Sequence, residues 1–352
     1  MAKVTAPYYP IIYVRGYAMT QDAIVETTST PFMGFEAGST KIRQARDGSI
    51  RKFVFESPLV RLMKDFNYRD IYESGSERMD KLSPRCVVIH RYYDPADPAF
   101  GDGSVPSIVD AAKVLAQRID ELRDLICGKA DPTDKDVTDA RKTFKVYLVA
   151  HSMGGLICRC LLQNPEVGSD EIKGMIDKVF TYATPHNGIE MGGINVPGFL
   201  SLNDMTNFNR TRMAGYLKTP ADRVNTLGTS DFPVERVFCL VGTNSRDYAV
   251  GHGLSSFAVG SMSDGLVRIA NAYVEGAPRA FVNRSHSGYF GIVNSEEGYQ
   301  NLVRFLFGNV RATGMLDINA IPFPPDIARA RKSGKKIESS YYIEATVAPR
   351  GA

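Results

Sequence analysis

The sequence predicts an α/β fold, a doubly wound and mostly parallel sheet with helical cap or lid insertions. Three observations carry that reading. Six short apolar segments are rich in β-branched and aromatic residues and show little polar alternation, the pattern of strands buried on both faces. Helical patterns lie between them, the rhythm of a parallel sheet covered by crossover helices. One segment, "KVYLVAHSMGGLICRC" (145–160), runs as a strand through a sharp turn into a helix, with Ser152 at the apex.

In chain order, "PIIYV" (10–14) is the first strand. Residues 17–84 are too long for a plain loop and include an amphipathic piece with Leu59, Leu62, Met63 and Phe66 on one face. "CVVIH" (86–90) resumes the sheet, and "SIVDAAKVLAQRIDELRDLI" (107–126) repeats apolar residues at helical spacing. "FKVYLVA" (144–150) leads into the turn at Ser152 and the helix "GGLICRCLLQ"; "DKVFTYAT" (177–184) is the next strand. Residues 189–234 are rich in Gly, Asn and Met and lack a strand signal, which marks a second insertion over the carboxyl edge of the sheet. "ERVFCLVG" (235–242) and "RAFVN" (279–283) complete the strands, and "EEGYQNLVRFLFG" (296–308) is a helix stopped by Gly308. The tail, 309–352, reads as a linker ("IPFPPD", "KSGKK") followed by an arm or edge strand, "YYIEATV".

Composition narrows the chemistry. Of 352 residues, 43% are hydrophobic and 23% charged, enough for a large core, and 42 basic against 39 acidic side chains leave a net charge of +3. That balance, with no Lys/Arg cluster interleaved with aromatics, argues against nucleic acid as a partner. No stretch approaches the roughly 20 apolar residues of a membrane span, and the start of the chain lacks a signal-peptide pattern. Five scattered cysteines without a C-x-x-C pair read as buried thiols in a reducing compartment, so a cytoplasmic location is expected.

A serine hydroxyl becomes a nucleophile only when a base takes its proton. A strained strand-to-helix turn lifts the hydroxyl clear of the sheet and brings strand and helix so close that the residues two before and two after the serine must be small. Ala150 and Gly154 meet that demand; Ala150 replaces the more usual glycine at the cost of one methyl. A second small-x-Ser-x-Gly string, Ser261 to Gly265, has no strand before it and no helix after it.

Of the five histidines, His286 sits on a loop just past the last predicted strand, where the base belongs in the chain order Ser, acid, His. His151 adjoins Ser152 along the chain, so its side chain is expected to point away from the apex. The acid should lie between the penultimate strand and His286; Asp264 in "SDGLV" is preferred over Asp247 because apolar structure resumes directly after it. Two backbone N–H groups must face the oxyanion: Met153, after the serine, and Tyr17, after the first strand, where Gly16 allows a tight turn.

The blocks "YVRGY", "LVAHSMGGLI", "YATPHNG", "SDGLV" and "RSHSGYF" together resemble, in this order, those of α/β-hydrolase-fold serine lipases and esterases, above all bacterial lipase-like enzymes. The resemblance spans about residues 10–308. It implies the α/β-hydrolase fold, with Ser152 as nucleophile, Asp264 as acid, His286 as base, and Tyr17 and Met153 as oxyanion donors. Arg15 stands where such enzymes usually carry a histidine, and either orients a substrate carboxylate or pairs with an internal acid. Gly288 stands where calcium-stabilised members place an aspartate, and no His/Asp cluster for zinc is evident, so neither a metal nor a cofactor is expected. The expected substrate is a small-molecule or lipid ester. Met191, Phe199, Leu200, Leu202, Met205 and Phe208 are candidates to line an acyl pocket that contacts lipid transiently. An acyltransferase, thioesterase or amidase on the same three residues is the alternative, and a non-catalytic binding protein of this fold a third reading. Oligomeric state is not legible.

Overall fold

The computed structural model describes residues 4–335 except 17–24, 26, 45–47, 49, 74–75, 78–81, 105, 192–193, 196–204, 229, 248–258, 261, 289, 311–314, 316 and 321. The chain divides into two compact units, Met1–Phe307 and Gly308–Ala352.

The first unit is built on a seven-stranded sheet. Its strands are β1 (Ile11–Val14), β2 (Arg69–Asp70), β3 (Cys86–Ile89), β4 (Val146–His151), β5 (Ile176–Tyr182), β6 (Val237–Gly242) and β7 (Arg279–Val282). They lie in the order β7-β6-β5-β4-β1-β3-β2, and every neighbouring pair is parallel. This is the α/β-hydrolase arrangement that the sequence predicts, with six of the seven strands at the expected places. The seventh, β2, lies inside the 17–84 insertion and was not foreseen. It holds only two residues, one charged pair at the sheet edge, and such a piece has no hydrophobic period to read.

β1, β3 and β4 are buried at every position, as strands covered on both faces must be. The described helices of this unit are α1 (Pro58–Phe66), α2 (Ile108–Cys127), α3 (Lys135–Lys142), α4 (Met153–Gln163), α5 (Asp170–Met175), α6 (Arg210–Leu217) and α7 (Glu296–Phe307). α4 packs on β1, β4 and α2, while α7 packs on β5, β6 and β7. Side chains of β5 alternate between these layers. Lys178 donates to the carbonyls of Phe305 and Leu306, and the Tyr182 hydroxyl donates to that of Gly298, so both tie β5 to α7. Lys178 also places its charge at the carboxyl end of α7, where the helix dipole favours a cation. Ser107 caps α2 by accepting from the Asp110 N–H, which explains why the periodic run begins there.

The insertions contain more β-structure than their composition suggests. Residues 17–84 hold a hairpin of Ser39–Gln44 and Ile50–Phe55 and a short pair, Tyr72–Glu73 with Ser76–Glu77. Residues 189–234 pair Glu190–Met191 with Ile194–Asn195, against the expectation of no strand there, and carry α6. The hairpin pairs six residues per strand, and the two short pairs two residues each.

In the second unit the stretch read as linker contains a helix, α8 (Pro325–Lys332). Pro325 opens it, Asp326 lies in its first turn, and Arg329, Arg331 and Lys332 lie in its last. Each choice favours a helix locally, so a short helix forms without an apolar stripe. The predicted strand "YYIEATV" lies outside the described residues. Among the described residues, no helix is long and apolar enough to cross a membrane.

Candidate active site

The sheet order reverses direction between β1 and β4, and ligands of open α/β sheets bind outside the carboxyl ends of the strands at such a point. Ser152 follows β4 there. Its backbone sits at φ 52° and ψ −126°, a conformation that L-residues rarely adopt and that costs on the order of 1–3 kcal/mol. Hydrogen bonds hold it from both sides: the Ser152 N–H donates to the Tyr182 carbonyl at 2.9 Å, and the Gly155 N–H donates to the Ser152 carbonyl at 3.0 Å.

Three glycines make this turn possible through space rather than through flexibility. A Cβ on Gly154 would stand 2.1 Å from the Val14 carbonyl oxygen, and one on Gly155 would stand 2.2 Å from Thr184 Oγ1. A Cβ on Gly16 would stand 2.3 Å from Ser152 Cβ. Gly16 is therefore required by close approach of the β1 loop to the serine, a stronger reason than the tight turn the sequence suggested. Ala150 is fully buried in register between Val14 and Thr181, and tolerates its methyl there.

The three predicted side chains come together. His286 Nε2 lies 3.0 Å from Ser152 Oγ, and His286 Nδ1 lies 2.8 Å from Asp264 Oδ2. All three residues are buried. The other carboxylate oxygen of Asp264 accepts the N–H groups of Leu266 at 3.0 Å and Val267 at 2.7 Å. The "GLV" after Asp264 thus fixes the carboxylate directly, which is the physical content of the preference for Asp264. Gly242 at the end of β6 permits this, since a Cβ there would stand 2.8 Å from Asp264 Cβ. Asp247, the competitor, accepts instead from Asn244 Nδ2 at 2.6 Å.

Met153 opens α4, so its N–H belongs to the first-turn amides that have no intrahelical acceptor. Tyr17, the second expected donor, lies outside the described residues, as do Phe199, Leu200 and Leu202; the side chains of Met191 and Met205 do too. Phe208 is buried. Arg15 donates through Nη1 to the Met33 carbonyl, and a Cβ on Gly34 would stand 2.2 Å from that nitrogen. Among the described residues its hydrogen-bond partner is thus a backbone carbonyl rather than an internal acid. No group of three or more His, Cys, Asp or Glu that could hold a metal occurs among the described residues.

Several residues around the serine were not given roles by the sequence. His151 does not point idly away from the apex. It runs beneath the His286 loop, and its Nε2 lies 2.9 Å from the His286 carbonyl oxygen. His186 Nε2 lies 3.1 Å from Thr181 Oγ1, and Thr181 in turn donates to the Phe238 carbonyl at 3.0 Å. Burial holds both imidazoles well below the usual histidine range. Arg159 on α4 is buried and has no carboxylate partner among the described residues. It donates to the carbonyls of His186 at 3.0 Å and Thr226 at 2.8 Å and to Gln163 Oε1 at 2.9 Å. Burial lowers its pKa to about 10, and these bonds anchor the "TPHNG" loop to the helix that follows the serine. All five cysteines are buried and unbonded to one another, and burial raises their pKa values, to about 12 for Cys86 and Cys160.

An open cleft of about 620 Å³ lies elsewhere, lined by Arg123, Asp131, Phe144, Glu171 and Met175 at the amino ends of β4 and β5. Its distance from the carboxyl edge, where the sheet reverses, sets it apart from the serine's chemistry. A cavity of about 40 Å³ adjoins the serine loop and is lined by Arg15, His151, Ser287 and Asn294 among others.

A strained serine elbow on a parallel sheet, with an acid and a histidine delivered by the loops of β6 and β7, defines an α/β-hydrolase fold. Residues 103–226 match the PGAP1-like alpha/beta domain family. That span carries β4, the elbow, α4 and β5, and leaves Gly16, Asp264 and His286 outside it. No curated protein matches the chain. Among solved structures, the chain is similar to the mature lipase BlEst2 of Bacillus licheniformis, at 14% identity and TM-score 0.45, covering 86% of this chain and 94% of that one. It is similar to a metagenomic carboxyl esterase at 12% identity and TM-score 0.47, covering 88% and 78%. Phospholipase PlaB of Legionella pneumophila, in complex with thio-NAD, follows at 16% identity and TM-score 0.46, covering 85% and 58%. At those scores the fold rests on the strand order and the elbow rather than on the likenesses.

Proposed function

We propose that the chain is a serine hydrolase that cleaves carboxylic esters, of lipids or small molecules, through an acyl-enzyme intermediate. The observation that carries this reading is the chain of contacts Asp264 Oδ2 to His286 Nδ1 at 2.8 Å and His286 Nε2 to Ser152 Oγ at 3.0 Å, ending on a serine at φ 52°. Ser152 Oγ attacks the ester carbonyl carbon as His286 Nε2 takes its proton. The C=O pair moves onto oxygen, and the N–H of Met153, with that of Tyr17, stabilises the oxyanion. Collapse expels the alcohol, which receives the proton from His286. Water then repeats the sequence on the acyl-enzyme and releases the acid and the free serine. Asp264 holds Nδ1 protonated throughout and stabilises the imidazolium; with three hydrogen bonds it remains an acceptor.

The test is Ser152→Ala with p-nitrophenyl esters and a fluorophosphonate probe. Turnover should fall to the level left by binding and oxyanion stabilisation alone, and labelling should vanish. Unchanged turnover in that variant refutes the assignment. Transfer to added alcohol, measured by product analysis, separates hydrolysis from acyl transfer on the same residues.

A further inference from the structure

We propose that His151 is a positioning residue for the base: its Nε2–H clamps the backbone carbonyl of His286 and ties the base to the strand that carries the nucleophile. This rests on the ester-hydrolase reading above and deepens it.

The peptide of His286 is held at both ends. Its N–H donates to the Asp264 carbonyl at 2.9 Å, and its C=O lies 2.9 Å from His151 Nε2. Its ring is held at both nitrogens, by Asp264 and by Ser152. Of these four ties, the one from His151 is distinctive. His151 is the last residue of β4 and is bonded through one peptide to Ser152, so nucleophile and clamp share one strand end. After the base, residues 287, 288, 290 and 291 belong to no strand or helix, with Gly288 at φ 86°, so among the described residues there no regular ladder fixes the carbonyl. The serine-to-base separation is thereby set by a central strand rather than by the residues after the base.

The tautomer follows from the partner. A carbonyl oxygen can only accept, so Nε2 carries the proton and a neutral ring leaves Nδ1 bare. Burial comes first, then the charges of His286 and Arg15, in disfavouring a second proton on His151. His151 therefore remains one neutral donor while His286 cycles between imidazole and imidazolium, and it adds no positive charge beside the imidazolium. Its ring centroid lies 5.1 Å from that of His286, close enough for such a charge to matter.

The experiment compares wild type with His151→Phe, His151→Asn and His151→Gln. Phenylalanine fills the ring's space without a donor, asparagine is too short to reach the carbonyl, and the glutamine amide reaches the place of Nε2. Removing the donor leaves a buried carbonyl unpaired, so kcat should fall about tenfold or more in the Phe and Asn variants, with KM little changed. Glutamine should return kcat to within about threefold of wild type. The downfield proton resonance of the His286 Nδ1–H should broaden or vanish in the first two and persist in the third. If the Phe variant fails to fold, the Asn variant carries the same expectation. Wild-type kcat in the Phe or Asn variant overturns the proposal, as does equal loss in all three that follows their melting temperatures. Ser152→Ala in the same assay separates the two readings. An inactive Ser152→Ala beside a fully active His151→Phe refutes the clamp alone, while an active Ser152→Ala removes the hydrolase reading itself.

Discussion

His90 offers a sharp test of the burial that shapes this protein. Its ring is buried at the end of β3 and its Nε2 lies 3.0 Å from the Ala111 carbonyl oxygen. Burial is the main cause of a pKa lowered to about 4, helped by the charge of Arg118 and opposed by the bond to Ala111. The unfolded chain takes up this proton near pH 6.5, the folded one only near pH 4, so acid favours unfolding between those limits. The stabilisation is therefore complete above about pH 6.5, shrinks as pH falls, and levels off below about 4. Between pH 8 and pH 5 the linkage amounts to about 2 kcal/mol for this one residue. His151 and His186, also buried and shifted downward, act in the same direction. Lowered carboxylates such as Asp65 and Glu190 lose their contributions only nearer pH 4, so the window from 8 to 5 belongs to the histidines. His90→Gln keeps a donor for the Ala111 carbonyl and removes the titration. Urea unfolding at pH 8 and pH 5 should show that the variant loses about 2 kcal/mol less than wild type on acidification. Whatever fixed offset the substitution adds cancels in this difference. Parallel losses in the two proteins would refute the assignment of a buried, neutral His90.

Two further substitutions probe the frame of the site. Gly154→Ala places a methyl 2.1 Å from the Val14 carbonyl oxygen, against the backbone of a central strand that cannot yield. A displacement of the elbow approaching 1 Å should lower the rate of fluorophosphonate labelling by on the order of 10²-fold, with a measurable fall in melting temperature. Labelling at the wild-type rate would show that the crossing is looser than described. Arg159→Met removes a buried cation but strands the His186 carbonyl and leaves that of Thr226 with the Gln163 amide alone, so a loss of about 2 kcal/mol is expected by denaturant unfolding. Arg159→Lys should recover little, because an ammonium cannot fork to three acceptors. Wild-type stability in the Met variant would mean that burying the guanidinium costs as much as its bonds contribute.

Much of this protein is legible in its sequence because burial on two faces leaves a strong mark. β1, β3, β4, β5 and β6 are short, mostly buried apolar runs of a covered parallel sheet, β7 is a more exposed strand at the sheet edge, and each of the six was expected within two residues of its place. Ser152, Asp264 and His286 were legible for a different reason: each follows a readable strand, and chain order assigns what spacing alone could not. β2, the 39–55 hairpin and α8 were not. β2 is a two-residue edge, the hairpin carries charged residues on both strands, and α8 is stabilised by its end residues rather than by a buried stripe. The hidden parts of the site share one property: they depend on contacts between segments far apart in the chain. Gly16 looks like any strand-ending glycine until β1 is paired with β4 and its α-carbon is brought against Ser152. Arg159 is a lone charge in an otherwise uncharged helix, and its role shows only when the carbonyls of His186 and Thr226 are brought to it. His151 is the clearest case, because adjacency to Ser152 argued that it faced elsewhere. It does face elsewhere, and the carbonyl it meets there belongs to His286, 135 residues away. A neighbour of the nucleophile can thus act on the base without touching the serine, and only the return of the chain after β7 makes that visible.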